Sequence, residues 1–211
     1  MAANITRLFL IRHGATAANQ AKPPLLQGRG LDQGLEPIGV EQARRVAGAL
    51  SGYPIEGVYC SPLRRAKETA ALVGEPRGLE AKVVPALIEV DVGRWLGLSW
   101  VEIREQFPAE YAHFHEDPGA IPYYGGESFI HVASRAVPAL HELADNHPGG
   151  TIVAVAHHVV NRAVIGFLLG VPTSTARSLR QVNGGINLIE YHDGPPRVVM
   201  INSCLHLQGL H

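Results

Sequence analysis

The 211-residue chain predicts a three-layer, doubly wound α/β domain with a mostly parallel central sheet flanked by helices. Three observations carry that prediction. Short apolar runs of strand length alternate with longer stretches of helical spacing, the order expected of strands connected through crossover helices. The run at residues 151–156 is apolar after its first residue, as in a strand covered on both faces at the centre of a parallel sheet. Polar residues then follow the strands: Arg12-His13 after the first, Arg64-Arg65 just beyond the second, Glu89 beyond the third and His157-His158 after the central one. The carboxyl ends of parallel strands share one edge, so these groups can meet in one cleft.

Taken in order, residues 8–11 form the first buried strand and run directly into Arg12, His13 and Gly14. Residues 16–34 are a polar loop containing Asn19, Gln27 and Gly28, long enough to be functional. Pro37 suits the first turn of a helix whose apolar face is Val40, Ala43, Val46, Ala47 and Leu50, with Gly52 past its end. Residues 57–60 read as the second strand, after which Ser61 is expected to cap a helix with Pro62 at its first position. Residues 82–84 are a third strand. Prolines 108, 118 and 122 interrupt one or two short helices between 99 and 126, expected as a lid over the site rather than a core layer. A long amphipathic helix at 127–146 should kink or split at Pro138. A helix at 159–169 follows the central strand, and strands at 186–191 and 197–201 close the chain around a Gly194-Pro195 turn. No repeat or linker marks a second domain, so residues 1–211 read as a single domain with a lid insertion around 99–126.

Bulk properties exclude several function classes. With 46% apolar and 18% charged residues and a net charge of -1, the chain is neither disordered nor shaped for nucleic acid or an acidic membrane. No stretch approaches the roughly 20 apolar residues of a membrane span. No secretory signal is read either, because Arg7 precedes only four apolar residues. Cys60 and Cys204 fit no metal-ligand or redox spacing and are expected as free thiols in a reducing cytoplasm. Eleven histidines occur without a His-Glu-x-x-His or paired-cysteine pattern, so no metal is inferred.

Arginines with histidines and one carboxylate suit a phosphorylated substrate. Guanidinium forks match phosphate oxygens, while a histidine can attack phosphorus and carry the phosphoryl group. The residues also carry a family resemblance. Arg12-His13-Gly14 with Thr16 and Asn19 resembles the signature of the histidine phosphatase superfamily, in its phosphoglycerate mutase-like branch. Gln27-Gly28-Arg29, Ser61-Pro62-Leu63-Arg64-Arg65-Ala66, Leu87-Ile88-Glu89, Gly125-Gly126-Glu127-Ser128, Val155-Ala156-His157 with Arg162, and His206-Leu207 continue it in register over roughly residues 7 to 207.

That resemblance implies a phosphoglycerate mutase-like fold and the following roles. His13 is the nucleophile, Arg12, Arg65 and His157 surround the transferred phosphoryl group, and Glu89 is the proton donor. Asn19, Gln27 and Gly28 add phosphate contacts, and His158 and His206 are candidate substrate contacts. Arg64 aligns with no phosphate ligand and reads as a solvated helix residue. His158 stands where the family usually has glycine; Ala15 and Ala18 replace an acidic residue and a tryptophan, implying a roomier floor. The expected activity is metal-independent, cofactor-free hydrolysis of a phosphate monoester of a small metabolite. Phosphoserine, ribazole and sugar phosphatases are the candidate types. A phosphoglycerate mutase is the alternative, disfavoured by a short lid region, and a non-catalytic phosphate-binding module the third. A homodimer through an exposed edge or lid surface is left open.

Overall fold

The computed structural model describes residues 5–210. In chain order the elements are β1 (Thr6–Arg12), α1 (Ala17–Gln20), α2 (Pro37–Ala49), β2 (Ile55–Cys60), α3 (Arg64–Gly74) and β3 (Ala81–Val83). Then follow α4 (Trp100–Gln106), α5 (Pro108–Glu116), α6 (Phe129–Asp145), β4 (Thr151–Ala156), α7 (His158–Leu168), α8 (Thr173–Ala176), β5 (Ile186–His192) and β6 (Gly194–Ser203). One six-stranded sheet has the order β3-β2-β4-β1-β5-β6. Its first four strands are mutually parallel, β5 runs antiparallel to β1, and β6, antiparallel to β5, returns to the direction of the first four.

The alternation of side chains along the strands divides the interior in two. Leu8 and Leu10 of β1 join Ile152 and Ala154 of β4 beneath α6 and α7. Phe9 and Ile11 join Val153 and Val155 on the opposite face, beneath α2 and α3. Because β4 is covered on both sides, every one of its residues is buried, which is why its sequence is apolar without alternation.

Several local expectations change. The 16–34 loop contains a helical turn, α1, closed by Thr16, whose N–H and hydroxyl donate to Asn19 Oδ1 while Asn19 N–H returns to the Thr16 carbonyl. Ser61 does not cap α3. The helix starts three residues later at Arg64, with Leu63 as its N-cap, because the Ser61 hydroxyl is engaged with a histidine described below. Glu89 does not sit at a strand end: β3 stops at Val83, and the chain passes through a 3₁₀ turn, Pro85–Leu87, before reaching it. Pro138 lies inside α6 without splitting it.

Residues 99–126 are more than a cover. Ser99 and Glu102 form a reciprocal capping box that starts α4, and α5 follows from Pro108. Trp95, Ile103, Phe114 and Tyr123 are buried and continuous with the core that runs under α6 and α7. Trp95 and Phe114 meet edge to face at 5.2 Å between ring centroids. Trp100 and Tyr123 present the other side of this cluster to a cavity over the sheet edge.

The loop after β1 is fixed by close backbone packing on α2. A Cβ at Gly39 would stand 2.2 Å from the Ala15 carbonyl oxygen, and one at Gly14 would stand 2.3 Å from the Gly39 oxygen. Gly39→Ala should therefore push the His13 loop off α2 and destabilise the protein by about 1–3 kcal/mol, measured by urea unfolding. Equal stability of the variant would show that the interlock is looser than drawn.

Candidate active site

The site begins where β1 and β4 end side by side. Their parallel register pairs Arg12 with Ala156, so the next residues, His13 and His157, must be neighbours. The ladder continues one step further through His13 N–H to the Ala156 carbonyl, and Ser61 N–H at the end of β2 bonds the Val155 carbonyl. His13 and His157 are buried, with ring centroids 5.1 Å apart.

His13 is oriented at both nitrogens. Nδ1 lies 2.7 Å from the Gly14 carbonyl, which can only accept, so Nδ1 carries the proton and Nε2 keeps its lone pair. That lone pair receives the Arg65 Nε–H at 3.2 Å. Burial, reinforced by the charges of Arg65 and Arg12, holds the His13 pKa well below its ordinary value, so the ring stays neutral.

Arg65 is buried on the first turn of α3, and its guanidinium is aimed by the 16–34 loop. Nη1 donates to the Leu31 carbonyl and Nη2 to the Gly28 carbonyl. Gly28 is required at φ +47°, where a Cβ would stand 2.7 Å from the Val92 side chain. The loop's glycine thus serves a close approach to Val92 and an anchor for Arg65. Arg12 donates through Nη1 to the Gln181 carbonyl, while its buried Nε has no partner. Burial lowers its pKa to about 10, leaving it charged at neutral pH.

His157 is aimed by Ser61. The Ser61 hydroxyl accepts the Leu63 N–H and has no other acceptor for its proton among the described residues than His157 Nε2, 2.6 Å away, so it donates there. The proton then sits on His157 Nδ1, which is buried and has no partner among the described residues. His157 stands against His13 rather than in the cavity wall, with its pKa depressed by burial and by Arg65.

Glu89 reaches the same cavity from the segment that follows β3. Its carboxylate accepts Val90 N–H at 2.9 Å and Val159 N–H, in the first turn of α7, at 3.3 Å. Arg135 holds the Glu89 carbonyl. Arg12, His13, Arg65 and Glu89 line one cavity of about 390 Å³, together with Asn19, Gln27, Gly28 and His158.

The remaining candidates divide. Asn19 Oδ1 accepts from Asn183 as well as from Thr16, and Gln27 Oε1 accepts the Thr16 hydroxyl. His158 donates through Nδ1 to the Gln181 carbonyl, which turns Nε2 into an acceptor, and burial holds it neutral. His206 is not brought to the cavity: its Nε2 pairs with the Gly184 carbonyl. Nor do Ala15 and Ala18 form a floor. Ala15 packs on Gly39 and donates to Gln42, and both side chains lie outside the cavity wall. Arg64 is exposed and paired with Glu68.

Sequence reasoning passed over Ser61 as a histidine partner, Asn183, Tyr123 and Arg177. Asn183 donates to the His13 carbonyl and to Asn19, and the other two line the cavity. Asn183, Tyr123 and Arg177 belong to no local motif, so only tertiary contact reveals them.

Removing the Ser61 hydroxyl strands a buried nitrogen and frees the His157 tautomer. Ser61→Ala should lower kcat on p-nitrophenyl phosphate by about 10- to 100-fold with a smaller change in KM. The pH dependence of stability follows from the neutral histidines. Each takes up a proton on unfolding below about pH 6.5, so its stabilising contribution is complete above that pH and falls below it by about 1.4 kcal/mol per pH unit. His158→Asn removes one such group, and urea unfolding between about pH 7.5 and pH 5.5 should lose stability less steeply in the variant.

Comparison with known proteins supplies the family. The model of the histidine phosphatase superfamily (branch 1) matches residues 8–203. The chain is 31% identical over 204 residues to phosphoserine phosphatase 1 of Hydrogenobacter thermophilus, covering 96% of this chain and 95% of that one. It is 34% identical over 196 residues to a metal-independent phosphoserine phosphatase of Arabidopsis thaliana, covering 90% and 78%. A solved phosphoserine phosphatase of Entamoeba histolytica, in complex with 3-phosphoglyceric acid, superposes with a TM-score of 0.85 at 28% identity, over 96% and 99% of the two chains. With a family match over nearly its whole length and this set of side chains at one sheet edge, the chain belongs to the histidine phosphatase superfamily, branch 1.

Proposed function

We propose that this protein hydrolyses the phosphate monoester of a small metabolite through a phosphohistidine on His13, without a metal or cofactor. The observation that carries the proposal is the fixed tautomer of His13: Nδ1–H on Gly14, and Nε2 as a buried lone pair facing Arg65. A neutral imidazole with its lone pair aimed into a cavity of arginines is a nucleophile presented to an anionic electrophile. The family match and the phosphoserine phosphatase relatives support the same reaction class.

In the first half-reaction the Nε2 lone pair forms the bond to phosphorus as the ester P–O bond breaks. Arg65 turns its Nε–H from the nitrogen to a phosphoryl oxygen. The unpartnered Arg12 Nε and His157 Nδ1 are further donors for the charge on the equatorial oxygens. Glu89 gives its proton to the leaving alkoxide. In the second half-reaction water attacks phosphorus, Glu89 takes the water proton, and the P–N bond breaks to regenerate neutral His13. Inorganic phosphate and the free alcohol are the products. The unpaired Cys60 and Cys204 suit a reducing cytoplasm as the place where it works.

His13→Ala should abolish hydrolysis of p-nitrophenyl phosphate, and rapid quenching of the unaltered enzyme should trap a phosphoryl adduct by intact mass. Retained turnover in the variant would sink the proposal. Glu89→Gln should slow alkyl phosphates by about 10²–10⁴-fold and aryl phosphates much less, since phenolate leaves without a proton.

A further inference from the structure

The cavity holds more positive charge than a phosphoryl group needs. Four guanidinium groups line it, from Arg12, Arg65, Arg162 and Arg177, against a single carboxylate, Glu89. Arg12 and Arg65 stand beside His13 and belong to the phosphoryl site. Nothing in the chemistry at His13 uses Arg162 or Arg177.

Those two combine a place in the cavity wall, partial burial and the lack of a carboxylate partner among the described residues. Arg7, Arg29, Arg45, Arg64 and Arg135 each have a carboxylate within the range of an ion pair. Arg162 and Arg177 are half-buried, and neither pairs with a carboxylate among the described residues. Arg162, on α7, uses Nε to hold the Leu179 carbonyl, and its terminal nitrogens bond no described group. The Arg177 guanidinium makes no hydrogen bond to the described residues and lies over the rings of Phe114, at 4.7 Å, and Trp100, at 5.4 Å. Stacking covers one face and leaves the in-plane N–H donors free. Keeping two half-buried cations without counterions costs free energy, and a bound anion would offset it. Tyr123 lines the same wall, where burial raises its hydroxyl pKa to about 12 and keeps it a hydrogen-bond donor. The wall therefore offers donors and positive charge.

Its position says which part of the substrate it meets. Glu89, held by the Val159 N–H at the start of α7, and Arg162, three residues further along that helix, line the same cavity, and the Glu89 charge acts on the Arg162 guanidinium. Arg162 accordingly flanks the proton donor, on the side where the alcohol departs. A cavity of about 390 Å³ is near the lower end for small-molecule sites, which places any second anion close to the ester.

Building on the phosphatase reading above, we propose that Arg162, Arg177 and Tyr123 form a carboxylate subsite for the leaving alcohol, so that the substrate is a small phosphorylated hydroxy acid. The planar guanidinium fork of Arg177 meets the two carboxylate oxygens, and the group so held orients the ester oxygen towards Glu89.

Paired probes test this. D-3-Phosphoglycerate and glycerol 3-phosphate differ chiefly in the carboxylate, as do O-phosphoserine and O-phosphoethanolamine. The enzyme should favour the acid of at least one pair by about 10- to 100-fold in kcat/KM, mostly through KM. In Arg177→Gln that ratio should fall towards one, and Arg177→Lys, which keeps the charge without the fork, should lie between. Equal turnover within both pairs would overturn the subsite, as would an Arg177→Gln loss equal for acid and non-acid. A preference for fructose 1,6-bisphosphate over fructose 6-phosphate without any preference for the acids would reassign the wall to a second phosphate and overturn it too. Binding provides a readout independent of turnover and of the folding of the Arg177 variants. In calorimetric titrations of His13→Ala, D-3-phosphoglycerate should bind at least tenfold more tightly than glycerol 3-phosphate, and equal affinities would refute the subsite. Failure of the unaltered enzyme on p-nitrophenyl phosphate would instead count against the phosphatase reading, and the titration would still decide the subsite.

Discussion

The pairing of β1 with β4 is the constraint on which the site depends. Two residues 144 positions apart in the chain become neighbours because Arg12 and Ala156 are partners in a parallel ladder. Slipping the register by one residue would turn every side chain of β1 to the other face and carry His13 away from His157. Burial of both strand faces makes that slip expensive, since Leu8 and Leu10 belong to one core layer and Phe9 and Ile11 to the other. The hydrophobic layers therefore fix the catalytic geometry as firmly as the polar contacts do.

Electrostatics explain why the polar residues persist in such a place. Burial beside Arg65 and Arg12 keeps His13 and His157 neutral, burial beside Arg12 and Arg162 does the same for His158, and neutrality is what leaves a lone pair on His13. The arginines are in turn aimed by backbone carbonyls, those of Gly28, Leu31 and Gln181. Carbonyls orient a guanidinium without neutralising it, so the cavity remains positive. This also separates the site from the surface, where arginines such as Arg64 and Arg45 are paired with glutamates along one helix face and contribute little.

The aromatic cluster of residues 95–123 ties the wall of the cavity to the core. Trp95 is fully buried between Phe114 and Tyr123, and Trp100 continues the stack towards the opening, where Arg177 lies across it. One packed unit thus reaches from beneath α6 to the wall of the cavity. The segment belongs to the core and to the site at once, which a division into lid and layer does not express.

The sequence by itself determined the sheet, most of the helices and the reaction class. Apolar runs of strand length, proline at helix starts and polar residues after strands are local signals, and the Arg-His-Gly and Ser-Pro-Leu-Arg-Arg-Ala motifs are contiguous in the chain. Only the tertiary structure decided how the residues share their partners. Ser61 has the composition of a helix cap, yet its hydroxyl turns to His157, because the register of β2 on β4 puts that ring 2.6 Å away. Gly28 reads as a phosphate-facing glycine; it lines the cavity, and the folded chain adds that it lets the loop approach Val92 while its carbonyl steers Arg65. His206 falls in a family-like tail, yet pairs with the Gly184 backbone. Arg177 and Tyr123 have no motif to announce them: their meaning lies in a charge left without a counterion and a ring turned towards the cavity, and neither property exists until the chain is folded.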